Sequence, residues 1–259
     1  QGHTIIFIDH KLEEVLTIAD TITVLRQGRT VTTVDAGGVT AQELAELMIG
    51  SDLPSPSVAP HVTDDHVTLS VSGVSVIGDD GREVLTDIDL TIHRGEILGI
   101  AGVEGNGQVE LVEALLGLRA LAAGGITLEG ESIGDWPVRR RREAGIGYVP
   151  EDRHRRGLLL DAPLWENAML GHQTSRPFAR GPLIDRPGAR GVTQQIVDQF
   201  DVRTPGINTT AQALSGGNQQ KLLIGREMIA EPRLLVAAHP TRGIDVGAQA
   251  AVWDRLRRA

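Results

Sequence analysis

Residues 95–109 constrain the fold more tightly than any other stretch. Gly95-Glu96-Ile97-Leu98-Gly99-Ile100-Ala101 is an apolar run, residues 102–107 form a glycine-rich turn, and Val109 to Leu116 follow with helical spacing. An apolar run without polar alternation suits a strand buried on both faces, and such strands belong to parallel sheets. Leu234-Leu235-Val236-Ala237-Ala238 is a second run of this kind. Strand, glycine turn and helix with later apolar strands predict an α/β fold built on a mostly parallel sheet. The chain has 259 residues, enough for one large domain and part of another. Aromatic residues make up 3%, so the core must be aliphatic.

Upstream, Thr4 to Ile8 is a short β-branched run suited to a buried strand, and Leu12 to Ala19 has helical spacing. Thr21 to Leu25 and Thr30 to Val34 read as a hairpin around Gln27-Gly28-Arg29. Thr40-Ala41-Gln42-Glu43 is a capping box opening a helix to Met48, with Gly50 past its end. Pro54, Pro56 and Pro60 mark residues 51–65 as a linker. A further domain begins near His66 with strands over Val67–Val71 and Leu85–Ile92. Residues 160–200 read as mostly helical, broken by Pro177, Pro182 and Pro187. The expected division is therefore 1–50, a linker at 51–65, and 66–259. The first residues enter directly into an apolar run and the last stop inside a helical pattern, so both ends are expected to be truncations.

Composition excludes several classes. The absence of cysteine rules out a disulfide scaffold and any cysteine-ligated metal. A net charge of −9 argues against a nucleic-acid partner. No apolar run approaches the roughly 20 residues of a membrane span. The one conspicuous charge run, Arg139-Arg140-Arg141-Arg142, is expected to be a solvated helix face.

Two segments carry chemistry in their residue types. A phosphate loop of the form G-x-x-x-x-G-K-[ST] cradles phosphates with backbone N–H groups, reaches them with its lysine and binds Mg²⁺ through its hydroxyl. Here the glycines Gly102, Gly105 and Gly107 are in place around Asn106, but Gln108 stands at the lysine position and Val109 at the hydroxyl position. A neutral amide cannot offset phosphate charge, and valine cannot ligate a metal. Leu214-Ser215-Gly216-Gly217-Asn218-Gln219-Gln220-Lys221 puts a serine and two glycines at the start of an amphipathic helix. Exposed N–H groups, the Ser215 hydroxyl and the positive helix end suit a γ-phosphate.

The octet Leu214–Lys221 resembles the signature motif of ABC transporter ATP-binding cassettes. Thr4-Ile5-Ile6-Phe7-Ile8-Asp9-His10-Lys11-Leu12-Glu13-Glu14-Val15, with Ala19-Asp20-Thr21 to Arg29 beyond it, is similar to a switch-histidine segment of the same family. The family resembled is that of subunits with two fused cassettes, of the simple-sugar or nucleoside importer type. The resemblance implies a P-loop NTPase cassette with a RecA-like parallel-sheet core, an antiparallel β subdomain and a helical subdomain. It implies that residues 1–50 are the tail of a first cassette and 66–259 most of a second. His10 would be the catalytic group contacting the γ-phosphate. Leu214, Ser215, Gly216, Gly217, Asn218 and Gln219 would close on ATP held, with Mg²⁺, by the first cassette. Glu151, in Tyr148-Val149-Pro150-Glu151-Asp152-Arg153, would replace the usual glutamine of the loop that faces the permease. Asp245, in Gly243-Ile244-Asp245, would belong to the D-loop. Where the family carries an Asp-Glu pair for metal and water, this chain has Ala238 and His239. No aromatic lies near Val76-Ile77-Gly78 to stack on adenine. With the lysine, hydroxyl and both acids replaced, the site built on residues 102–109 is expected not to turn over ATP, and no protein metal ligands are expected in this chain. Implied partners are membrane permease subunits and an extracytoplasmic solute-binding protein, at the cytoplasmic face of the membrane. The alternatives are a non-hydrolytic regulatory module and a soluble ABC ATPase unconnected with transport.

Overall fold

Strand pairing divides the molecule into distinct sheets, each explained by its sequence. In the computed structural model of the protein, the described residues are 5–9, 11–26, 28–50, 64–244 and 246–258. They fall into two compact units: one from residues 1–58 together with 243–258, the other from 59–242.

In the first unit, α1 (Leu12–Ile18) leads into the antiparallel pair β1 (Thr21–Arg26) and β2 (Arg29–Asp35). Both strands are rich in Thr, Val and Ile, the residues that fit a pleated surface. Helix α2 (Ala41–Ile49) starts at the anticipated capping box: the Glu43 N–H donates to Thr40 Oγ1 at 3.2 Å, and the Thr40 N–H donates to Glu43 Oε2 at 2.8 Å. Val15, Ile22, Val24 and Leu44 form the small core between these elements. The expected strand over Thr4–Ile8 is not formed across the described residues 5–8, where Ile5, Ile6 and Ile8 are exposed. A buried strand needs a ladder on its flanks, and no described strand offers one.

The second unit opens with the long antiparallel strands β3 (Val67–Ile77) and β4 (Glu83–His93). The helix α3 (Gln108–Leu116) follows the glycine turn, then β5 (Ala123–Leu128) and β6 (Glu131–Ser132) complete a four-stranded sheet in the order β4-β3-β5-β6. Leu69, Val71, Val74, Val76, Ile126 and Leu115 bury the face between this sheet and α3. Beyond α4 (Val138–Glu143), β7 (Ile146–Val149) runs into the short helix α5 (Arg153–Arg156). A helical layer follows: α6 (Leu164–Met169), the small hairpin β8 (Ala179–Arg180) and β9 (Leu183–Ile184), α7 (Arg186–Gln199) and α8 (Gly216–Met228). Pro187 does not break α7 but sits in its first turn, where a proline lacks only an N–H that would be unpaired anyway. α7 and α8 approach closely at Gly225; a Cβ there would come within 2.6 Å of Ile196.

The strand β10 (Leu234–Ala237) pairs in parallel with β7, and α9 (Val246–Arg258) ends the described chain as part of the first unit. This is the only parallel pairing among the described residues. The run 95–101, expected as a further buried strand, carries no ladder; Ile97, Leu98 and Ile100 are exposed. The arginine run also departs from expectation. Arg139 and Arg140 face solvent, whereas Arg141 is 1% exposed and Arg142 turns inward to Glu227. Arg141 Nη1 donates to the carbonyls of Ala114 and Leu115 at 2.7 and 2.8 Å, so its charge caps the C-terminal end of α3. Its other nitrogens reach the carbonyls of Trp136 and Gly134.

Candidate functional site

The phosphate-type loop has the backbone its glycines demand. Gly105 and Gly107 take φ of 91° and 92°, in the left-handed region, and a Cβ on Gly107 would meet Leu85 at 2.5 Å. Gly107 then caps the N-terminus of α3. The loop is closed by its own side chain. Gln108 Oε1 accepts the Asn106 N–H at 3.1 Å, and Gln108 Nε2 donates to the Val103 carbonyl at 3.0 Å. The amide thus occupies a backbone donor of the kind a phosphate oxygen takes in such loops. Val109 is 46% exposed beside it and offers no oxygen, so the chemistry of this donor set does not fit Mg²⁺.

The signature segment forms a second helix start. Leu214 is buried, Ser215 is exposed as the N-cap of α8, and Gly216 and Gly217 make its first turn. Ser215 Oγ accepts from Asn218 Nδ2 at 2.9 Å, while Asn218 Oδ1 accepts the Arg203 N–H at 2.8 Å. A capping hydroxyl and two glycine N–H groups at the positive end of a 13-residue helix fit a phosphate oxygen.

Three loops meet behind that turn. Gln219 is 5% exposed; its Oε1 faces Arg153 Nε at 3.2 Å and His154 Nε2 at 2.8 Å, and its Nε2 donates to the Ala211 carbonyl at 3.0 Å. Gln220, 2% exposed, donates to the Pro240 carbonyl at 2.7 Å. Arg153 Nη1 donates to the Arg242 carbonyl at 2.9 Å, and Glu151 pairs with the Arg242 guanidinium. Ala238 follows β10, its N–H donating to the Val149 carbonyl at 2.9 Å, and His239 is exposed with φ of 46°. The structure therefore joins Gln219 and Glu151 through Arg153 and Arg242. Among the described residues it records no hydrogen bond between 102–109 and 214–219. His10 and Asp245 lie outside the described residues.

A buried charge cluster holds the far end of α8. Glu227 Oε2 accepts from Arg142 Nη1 at 2.9 Å and from the Tyr148 N–H at 3.1 Å, and Oε1 accepts from Arg226 Nε at 2.8 Å. Burial raises the carboxyl pKa, but Arg226 and Arg142 outweigh it and hold Glu227 below the usual range. Burial draws the Arg226 pKa down against the pull of Glu227, yet a guanidinium remains charged at neutral pH. His172, stacked on Phe178, is lowered to about 4 by burial and by Arg142. It is neutral at pH 7. Sequence reading missed Arg153, His154, Gln220, Arg142 and Glu227. Apart from the neighbouring Arg226–Glu227 pair, the side-chain partners that join them stand 20 to 89 positions away, and only the Pro-Glu-Asp-Arg segment hinted at a role for Arg153.

This combination of antiparallel sheet, phosphate-type loop, helical layer and signature turn defines an ATP-binding cassette. The ABC transporter family model matches residues 85–242, and the chain belongs to that family. It is 42% identical to the guanosine import ATP-binding protein NupO of Bacillus subtilis, over 99% of this chain and 50% of that protein. The nucleoside import ATP-binding protein NupA of Lactococcus lactis subsp. cremoris is 39% identical over 100% of this chain and 51% of its own length. The ribose import ATP-binding protein RbsA 1 of Streptomyces avermitilis is 37% identical over 98% and 47%. The chain thus spans about half the length of these relatives. The cassette MJ0796, solved as a post-hydrolysis dimer with ADP and Pi, matches the fold with a TM-score of 0.61 at 21% identity, over 73% of this chain and 81% of that one.

Proposed function

We propose that this chain is part of an ATP-binding subunit that powers import of a nucleoside or simple sugar through a membrane permease, and that its own phosphate-type loop is a non-hydrolytic site. The observation that carries the division of labour is Gln108: its amide bonds to the loop's own Asn106 N–H and Val103 carbonyl, where a working loop presents a lysine. Val109, Ala238 and His239 leave no oxygen ligand for Mg²⁺ and no acid to orient water. Ser215, Gly216 and Gly217 grip the γ-phosphate of ATP held, with Mg²⁺, by another cassette, and His10 contacts the γ-phosphate in that same competent site. Glu151 passes the resulting movement to the permease. A solute-binding protein delivers the cargo outside, and the subunit works at the cytoplasmic face of the membrane. Support comes from the import ATP-binding relatives and from the exposed Ser215 turn. Among the described residues no helix is long and apolar enough to cross a membrane.

The test is ATP turnover in a polypeptide that joins this chain to an upstream cassette with a lysine-bearing loop. Ser215→Arg should abolish turnover, and Gln108→Ala should leave it within about twofold. Loss of turnover in Gln108→Ala would overturn the assignment.

A further inference from the structure

The signature turn is not held by its own helix alone. Gln219 stands one turn into α8 and its amide faces two ways, to the Ala211 carbonyl just before the turn and to Arg153 and His154 at the start of α5. Arg153 in turn donates to the Arg242 carbonyl, and Gln220 donates to the Pro240 carbonyl. The Gln219 and Gln220 bonds to the Ala211 and Pro240 carbonyls are buried, where an unmade bond is expensive, while the Arg153 bond to Gln219 is part-buried and its bond to the Arg242 carbonyl is exposed. Asp152 fixes the origin of the bridge by accepting the His154 and Arg155 N–H groups at 3.0 and 3.1 Å.

We propose that Arg153 is a positioning residue for the signature turn: through Gln219 and the Arg242 carbonyl it ties residues 211–219, the loop carrying Glu151 and the segment 240–242 into one body. The guanidinium suits this because its planar fork addresses two acceptors in fixed directions. A lysine at the same place would reach one of them. The bridge holds the Ser215 turn in register with the Glu151 loop, so displacement of one is displacement of the other. This goes beyond the assignment of Ser215 to ATP, since it concerns how the turn is held when no nucleotide is bound.

Hydrogen exchange by mass spectrometry on the nucleotide-free 259-residue chain tests the bridge. Arg153→Ala should raise exchange in peptides covering 211–219 and 240–242 by about tenfold, with peptides of α7 unchanged. Gln219→Ala should do the same, and the double variant should exchange no faster than the faster single one. Arg153→Lys should give about a threefold rise. If Arg153→Ala unfolds the chain, Arg153→Lys alone carries the comparison. Unchanged exchange at 211–219, a uniform rise that includes α7, additive effects in the double variant, or full rescue by lysine would each overturn the proposal. Because no nucleotide is present, the outcome is separate from that of the ATP reading.

Discussion

Replacing Gln108 with lysine asks whether one side chain is what keeps the phosphate-type loop from gripping a triphosphate. In the native loop the Gln108 amide satisfies the Asn106 N–H and the Val103 carbonyl. Each such bond contributes roughly 0.5–1.5 kcal/mol net, and the lower end applies because the loop is largely exposed. An incoming phosphate must displace about 1 kcal/mol of internal bonding, a factor of roughly five in affinity. Lysine cannot accept from Asn106, so it frees that N–H and adds a charge-assisted bond of about 1.5–3 kcal/mol. Gln108→Lys should therefore tighten ATP binding by about tenfold or more, measured by isothermal titration with the chain alone. Gln108→Ala removes the competitor but adds no charge, so its affinity should stay within about fivefold of the native value. Mg²⁺ should strengthen neither complex, because Val109 still offers no oxygen. Equal affinity of Gln108→Lys and the native chain would refute the reasoning.

Other consequences concern stability and pH. Arg141→Ala should lower unfolding free energy by about 3 kcal/mol in urea titrations, since it empties a fully buried side-chain site and takes the Arg141 donor from the Leu115, Trp136 and Gly134 carbonyls. Glu227→Gln should be destabilising by about 3 kcal/mol, because Arg226 and Arg142 would lose their buried counter-charge. The depressed Glu227 pKa means its contribution is present above the ordinary carboxylate value and is lost as pH falls through the lower, folded value. For His172 the folded value of about 4 lies below the ordinary 6.5, so the unfolded chain binds more protons between them. Stability should then fall by about 2 kcal/mol as pH drops from 6.5 to 4, after discounting for partial exposure. His172→Gln should flatten that slope, and an unchanged slope would show that another group titrates there.

Local chemistry made much of this architecture legible. The Thr40–Glu43 box, the Gly107 turn into α3 and the Ser215 start of α8 were readable because each is decided within about five residues by caps and backbone sign. What could not be read depends on partners far along the chain. The run 95–101 looks like a buried strand, yet a strand exists only where another offers hydrogen bonds, and among the described residues it finds none. The four arginines look alike in sequence; only the placement of α3 and Glu227 decides that Arg141 and Arg142 turn inward. Likewise, the glycine pattern exposed the missing lysine and hydroxyl, but not that Gln108 folds back onto Asn106. The bridge from Gln219 to Arg242 has no periodicity at all and was invisible for that reason.

Steady-state ATP hydrolysis by the purified chain alone, with Mg²⁺, most directly tests the claim that residues 102–109 support no chemistry. The account predicts phosphate release at the level of a protein-free blank, unchanged in Gln108→Ala and in Gln108→Lys, whose gain would be in binding only. Sustained, Mg²⁺-dependent hydrolysis that disappears in Gln108→Ala would contradict it.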